Sequence, residues 1–461
     1  MKLAIVGAGW AGMAAAVEAA GAGWDVTLFE ATRTLGGRAR ALPAQRPDGV
    51  ALTLDNGQHI LIGAYAETLA LMQRVGVSPS EALLCLPLAL PYPDGTGLQT
   101  PRWATRWPAP LDAVAAIATA RGWRWADRWA LIRASLAWQR AGFVCAPQRT
   151  VAHLCAGLPQ RVMDELIEPL CVSALNLPAA QASAQVFLCV MRDALFGAGY
   201  GGWAASSLLL PRTDLSALLP DAAAQWLRTH HNASTRLRLG ARVLGLRPQA
   251  GGWQLQGSGW TERFDRVVWA TAASPAAQAM RQAAQGTPTE TSVLAEALNS
   301  WANTAEALNF TAITTVYAWA PGVRLSSPML ALRAPPNAHA APAQFVFDRG
   351  QLNPQDASAQ GVLAFVISAS EGERDDLQAR VLQQAAQQLG LHALQPLQTV
   401  VDKRATFACT PGLQRPSQAI APGLWAAGDY VDGPYPATLE GAVRSGLAAA
   451  RALETPPSSQ R

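Results

Sequence analysis

The first thirty residues constrain this chain most. Lys2-Leu3-Ala4-Ile5-Val6 reads as a buried strand, and Gly7-Ala8-Gly9-Trp10-Ala11-Gly12 follows at once. A helical run starts there and continues through Met13-Ala14-Ala15-Ala16-Val17 toward Ala20. Trp24-Asp25-Val26-Thr27-Leu28-Phe29-Glu30 then reads as a second strand ending in an acid. In such a unit the first glycine permits a tight turn, the second lets backbone approach a pyrophosphate, and the third lets the helix pack closely on the strand. Here these are Gly7, Gly9 and Gly12, with Trp10 and Ala11 opening the helix. The helix N-terminus offers free N–H groups and partial positive charge to phosphates. Glu30, eighteen residues after Gly12, is placed to accept hydrogen bonds from a ribose diol. A glycine triplet alone is weak evidence. Strand, triplet, helix, strand and acid in this order predict dinucleotide binding.

Two further segments narrow the ligand. Arg33-Thr34-Leu35-Gly36-Gly37-Arg38-Ala39-Arg40 lies just past the acid. Gly36 and Gly37 let a second backbone loop approach the ligand, and Arg38 can add a charge-assisted contact to phosphate. A domain that binds only a nicotinamide dinucleotide has no need of this loop. Near the other end, Leu424-Trp425-Ala426-Ala427-Gly428-Asp429 is an apolar strand stopping at Gly-Asp, and Thr438 precedes a helical run from Leu439 as a plausible N-cap.

The glycine turn, the second glycine loop and the Gly-Asp strand together resemble the large FAD family that holds monoamine oxidases and phytoene desaturases. That resemblance implies noncovalent FAD, since no cysteine or histidine stands in the C-terminal motif. It implies that Asp429, after Gly428, holds the ribityl chain. It further implies that the helix at Glu440, Gly441 and Ala442 points its N–H groups at the pyrimidine end of the flavin, where its dipole stabilises reduced flavin. The backbone near Val243 would meet the adenine.

The implied fold class is α/β: a discontinuous Rossmann-type FAD-binding domain with an inserted α+β substrate domain. A chain of 461 residues exceeds one compact core. The FAD-binding part is expected at 1–75, 206–271 and 400–454, and the substrate part at 76–205 and 272–399. Residues 455–461 read as a polar, disordered tail. Leu52 to Gly63 reads as two short strands around the Asn56-Gly57 turn, and Gly251-Gly252 suggests another hairpin. Strands are further expected at 235–239, 241–247, 313–318, 344–347 and 362–368, and helices at 66–75 and 375–389.

Composition excludes some classes. There are 36 basic and 32 acidic side chains, a net charge of +4, too mild to argue for nucleic acid. The six cysteines show neither a CxxC pair nor metal-ligand spacing with histidine, so no metal site is expected and reduced thiols fit the cytosol. Lys2 before an apolar stretch mimics a signal peptide, but those residues form the nucleotide turn, so none is expected. No uninterrupted apolar run reaches the ~18 residues of a spanning helix.

Five of the sixteen tryptophans lie within 103–129, each near an arginine. Trp103, Trp107, Trp123, Trp125 and Trp129 stand beside Arg102, Arg106, Arg121, Arg124 and Arg128, with Trp138 and Arg140 beyond. These are either core helices with arginines at the rim, or residues that dip into a membrane headgroup region.

Within the FAD family, Gly9-Trp10-Ala11-Gly12, Leu35 to Arg40 and Leu54-Asp55-Asn56-Gly57-Gln58-His59-Ile60-Leu61-Ile62-Gly63-Ala64-Tyr65 look like the squalene-associated branch, the hydroxysqualene dehydroxylases of bacterial hopanoid pathways. Leu208 to Arg212 and Pro434 to Glu440 also fit. The resemblance implies a C30 isoprenoid substrate that loses water and gains a hydride, FAD with Gly57, Gln58 and His59 beside it, and an electron donor that the residues do not identify. Other squalene-pathway enzymes are expected neighbours, at the inner face of the cytoplasmic membrane. Loss of an allylic hydroxyl needs a proton donor. His59 is the first choice because histidine titrates near neutral pH. It also reads as a backbone-bonded residue at the domain seam. Tyr435 and Glu440 are rivals. A polyene desaturase, an amine oxidase with Tyr430 and Tyr435 as its cage, and a prenyl-lipid carrier without flavin remain the competing readings.

Overall fold

The structure, a computed structural model, describes residues 1–105, 107, 110–230, 235–286, 292–334 and 341–453. Arg106 and the expected tail lie outside the described residues.

Lys2–Val6 is flanked on both sides by parallel strands, Asp25–Glu30 and Arg266–Trp269. A strand covered on both faces is apolar without alternation, and Leu3, Ala4 and Ile5 are fully buried. The sheet runs in the order Thr235–Leu239, Asp25–Glu30, Lys2–Val6, Arg266–Trp269, Leu424–Ala426, Ala419–Ala421. Its strands therefore come from the two ends and the middle of the chain. Helix Trp10–Gly21 covers one face and buries most of its residues, with alanines at 14, 15 and 16. Helix Leu439–Ala452 crosses it closely: a Cβ at Gly446 would stand 2.1 Å from the Ala11 carbonyl oxygen. The expected hairpin forms between Val243–Gln249 and Gly252–Gly257, with its turn at Ala250-Gly251, one residue before the expected Gly251-Gly252.

A second, five-stranded antiparallel sheet has the order Met329–Ala331, Phe345–Asp348, Val362–Ser368, Phe310–Trp319, Gln395–Phe407. Helix Arg374–Leu389 packs its Leu377, Val381 and Ala385 into the same core as Phe365 and Ile367. Helices Leu111–Ala118, Trp125–Arg140, Glu168–Leu175 and Ala184–Phe196 form the rest of this half.

One boundary and one strand pairing differ from expectation. Strand Gln395–Phe407 runs through the division at 400, because it pairs along its length with Phe310–Trp319, from Trp319 opposite Gln395 to Phe407 opposite Phe310. Cutting that ladder would orphan backbone groups, so the nucleotide sheet resumes only at Ala419. The second correction concerns Leu52 to Gly63. Ala51–Asp55 and Leu61–Ile62 do not pair with each other. The first pairs with Ala41–Gln45 around Asp48-Gly49, and the second pairs with Leu208–Pro211. Asn56 Oδ1 instead accepts from the Arg40 N–H, which frees Gly57, Gln58 and His59 to line a cavity.

Candidate active site

One cavity of about 830 Å³ joins the two halves. Its nucleotide end is lined by Gly7, Gly9, Trp10, Ala11, Glu30, Gly36 and Gly37, and Val243 also lines the cavity. Gly7 has φ +108°, and a Cβ there would lie 2.6 Å from the Ala270 carbonyl oxygen, so the turn admits only glycine. The Gly36 N–H donates to Ala8 O and pins the second glycine loop to the first. A Cβ on Gly37 would meet Gly9 Cα at 3.3 Å, inside the gap between the loops. Gly12 does not line the cavity: its Cβ would stand 1.9 Å from Gly7 O, so it is needed for helix-to-turn packing. The Glu30 carboxylate accepts from the N–H groups of Ala8 and Thr32, which draws the turn around it.

Toward the middle, Arg38 Nη2 and Asp429 Oδ1 are 2.5 Å apart, and Arg38 also donates to Ala405 O. The two groups expected to grip different parts of the cofactor hold each other, because the seam brings opposite charges together. Both still border the cavity, as does Gly428. Gln58 lines it too, with Oε1 accepting from Arg349, which also pairs with Asp55 at 3.3 Å. That buried pair ties the first segment to the second sheet. Arg349 was not singled out from sequence, because nothing local marks it.

His59 is half-buried on the cavity wall. Its Nδ1–H donates to Gly57 O at 2.7 Å, which leaves Nε2 as the free position. Burial pushes its pKa below the ordinary histidine range, against the opposing pull of the Gly57 carbonyl and Asp55. Tyr435 stands in the left-handed region at φ +60°, and Ala437 at +58°. Such backbone is costly for residues with side chains and clusters at functional sites. The ring packs edge-on to Tyr65 at 5.9 Å and lies beneath the Arg444 guanidinium. Burial and the neighbouring Asp193 raise the Tyr435 phenol, so it stays protonated at neutral pH.

The C-terminal helix begins as expected, with Thr438 Oγ1 accepting from the Gly441 N–H. Ala442 lines the cavity, but Glu440 and Gly441 do not. Glu440 is fully buried, and its carboxylate accepts from the N–H groups of Glu67 and Thr68 and from Arg444. It caps helix Ala66–Arg74, which corrects its assignment to the cofactor and as a rival proton donor. Gly441 is a packing requirement, since a Cβ would stand 2.1 Å from Tyr435 O.

The other end of the cavity is apolar, lined by Ile60, Ile62, Ile313, Phe345, Phe347 and Val366. Asn176 at its edge donates to Thr311 Oγ1 and Thr406 Oγ1 and accepts from the Ala369 N–H. Asn176 ends helix Glu168–Leu175 in a left-handed conformation. An Asn two residues before Pro178 signals such an end, but not that it borders a cavity.

The nucleotide end fits a flavin dinucleotide. Helix Trp10–Gly21 starts at Gly9 without a side-chain cap, so its first N–H groups face the gap between the glycine loops. The whole arrangement agrees with known proteins. The family model described as flavin containing amine oxidoreductase matches residues 10–453. Hydroxysqualene dehydroxylase of Rhodopseudomonas palustris is 28% identical over 97% of this chain and 96% of its own length. Zeta-carotene desaturase of Synechocystis is 42% identical, but over 18% of this chain and 16% of its own. In fold, cyclohexylamine oxidase of Brevibacterium oxydans superimposes with a TM-score of 0.66 at 16% identity, covering 98% of each chain. With the family model spanning the first helix, the second glycine loop, the second sheet and the C-terminal helix, the chain belongs to the flavin containing amine oxidoreductases.

Proposed function

We propose that this flavoenzyme carries out the reductive dehydroxylation of hydroxysqualene to squalene. The observation that carries the reading is the continuity of one cavity from the glycine loops to an apolar end walled by Ile313, Phe345, Phe347 and Val366. The match to a hydroxysqualene dehydroxylase along nearly the whole chain supports it. The desaturase match covers only 18% of this chain.

Reduced FAD, when bound, supplies the hydride. The substrate's carbon–oxygen bond breaks, the hydroxyl leaves as water with a proton from the protein, and the carbon takes the hydride. The chain's residues have three tasks. Gly7, Gly9, Gly36, Gly37, Arg38 and Asp429 bind and place the dinucleotide, with Val243 at the adenine end. The apolar end binds the isoprenoid and excludes water, so a carbon is held in place rather than solvated. Tyr65 and Tyr435 present ring faces and edges to a developing allylic cation. The two candidate proton donors are His59, which can present a proton from Nε2 when the ring is protonated, and the Tyr435 phenol. Glu440 is excluded, since its oxygens are committed to the helix it caps. The substrate is dissolved in lipid, so this reading also puts the enzyme at a membrane surface.

The test is anaerobic. The purified flavoprotein is photoreduced and mixed with hydroxysqualene in detergent, and flavin absorbance and extracted products are followed. Return of the oxidised spectrum together with squalene is expected. Reduced flavin that stays reduced, with substrate unchanged, would overturn the reading in favour of an oxidising polyene desaturase.

A further inference from the structure

The structure divides the tryptophan-arginine stretch. Trp123 and Trp138 belong to the core: Trp123 donates to Glu165, and Trp138 packs edge-on to Phe187 at 6.4 Å. The others face outward. Trp103 is 60% exposed, Trp107 44%, Trp125 69% and Trp129 60%. Among the described residues, most exposed large hydrophobic side chains lie between 103 and 144, including Leu111, Val114, Leu136 and Val144.

Helix Trp125–Arg140 shows how this arises. Asp127, Ala130, Leu131 and Trp138 face the core. Trp125, Trp129 and Leu136 fall on the opposite face at helical spacing, so the helix is apolar on two sides. Helix Leu111–Ala118 touches both the Arg102–Ala104 turn and helix Trp125–Arg140, so these exposed side chains lie on neighbouring elements, and an exposed apolar patch of this kind marks an interaction surface.

Charge identifies the occupant. Residues 101–150 hold eight arginines and two aspartates. Both aspartates are buried and used internally: Asp112 accepts from Ser206, and Asp127 from the Arg124 N–H. Arg102, Arg121, Arg124, Arg133 and Arg140 are exposed. The remainder of the chain is net acidic, since the whole carries +4. A second copy docked face to face would oppose like charges, because a two-fold interface sets the same patch against itself. An anionic surface of lipid headgroups accepts the arginines, while tryptophans settle at the headgroup boundary.

We propose that residues 102–144 form a docking surface for an anionic lipid bilayer, reached by insertion of Trp103, Trp107, Trp125 and Trp129. No helix among the described residues is long and apolar enough to cross a membrane, so the contact is interfacial. The same helical region supplies Ser173, Ala174 and Val190 to the cavity wall, so the docked face and the apolar end share one body. In giving a lipid-dissolved substrate a route to the cavity the inference rests on the proposed function; the surface itself is argued from exposure and charge.

The test is flotation of the full-length flavoprotein with vesicles of phosphatidylcholine alone or mixed with phosphatidylglycerol. Wild type is expected to float with the mixed vesicles and to release with salt. Two variants, Trp125→Ser with Trp129→Ser, and Arg121→Gln with Arg124→Gln and Arg133→Gln, should each lose at least about tenfold in partition. Their flavin content and melting temperature should match wild type, since these side chains are exposed. Equal flotation of wild type and both variants would overturn the proposal. So would a wild-type dimer in light scattering that the Trp variant dissociates while neither form floats. Neither outcome touches the detergent assay for squalene, so failure here and failure of the reaction are told apart.

Discussion

His59 is the residue at which position and acidity pull in different directions. It stands on the cavity wall with Nε2 free, yet burial lowers its pKa below the usual value near 6.5. At pH 7 the ring is neutral, so as the proton donor it works from a minor protonated fraction. Lowering pH through the ordinary histidine range should therefore raise the single-turnover rate. Stability moves the other way. The unfolded chain binds this proton more readily than the folded one, so the contribution of His59 is lost as pH falls from the unfolded value toward the folded one. His59→Gln should remove the acid-side rise and cost at least about 1.4 kcal/mol of transition-state stabilisation, tenfold in rate, with flavin retained. Rapid mixing of the photoreduced enzyme with hydroxysqualene across pH, monitored by flavin reoxidation, checks this. An unchanged rate and profile would assign the proton to Tyr435, whose raised phenol is a donor throughout the neutral range. Sequence placed both residues near the flavin by resemblance. It could not show that Glu440 is turned away, since the groups that claim its oxygens lie about 370 residues earlier in the chain.

Among the elements, the contact between helices Trp10–Gly21 and Leu439–Ala452 carries the most weight for so little side chain. Gly446 lies against the Ala11 backbone and the Ala14 methyl. Gly446→Ala would drive a Cβ to 2.1 Å from Ala11 O, and backbone cannot swing aside as a flexible side chain does. The helices must part, which overpacks or opens the core beneath them at a cost of about 1–3 kcal/mol. A lower melting temperature and weaker flavin retention are expected together, since the first helix opens at the glycine loops; an unaltered melting curve would show that the pair has slack. Elements with local signals were legible in sequence. Lys2–Val6 and Val362–Ser368 appear where their apolar runs put them, Thr235–Leu239 appears where a strand was expected, and Thr438 caps the last helix. Pairing was less legible. Leu52 to Gly63 has two strand-like runs around Asn-Gly, yet each run pairs elsewhere. The Asn56 side chain bonds the Arg40 backbone, and a distant strand at 208–211 completes the second pairing.

At the scale of the whole molecule, one cavity is walled by backbone from both ends and the middle of the chain. The glycine loops near residues 7 and 37, the wall at Val243 and the strand end at Asp429 all border it. A ligand there joins segments that the chain itself leaves far apart, and it binds only where all are folded together. Binding to the folded state alone stabilises by about 2.7 kcal/mol at a hundredfold excess over the dissociation constant. FAD should therefore act as a fold-wide brace. Stripping it should lower the melting temperature, and adding it back should raise the midpoint in proportion to the logarithm of its concentration. Arg38→Ala tests the same linkage from the protein side. It removes one cation from the seam and leaves the Asp429 carboxylate, only 8% exposed, without that partner. The same midpoint should then require more FAD. Calorimetric scans of both proteins against FAD concentration measure this. A wild-type midpoint indifferent to FAD would mean that the two ends of the chain are held together by the protein core alone.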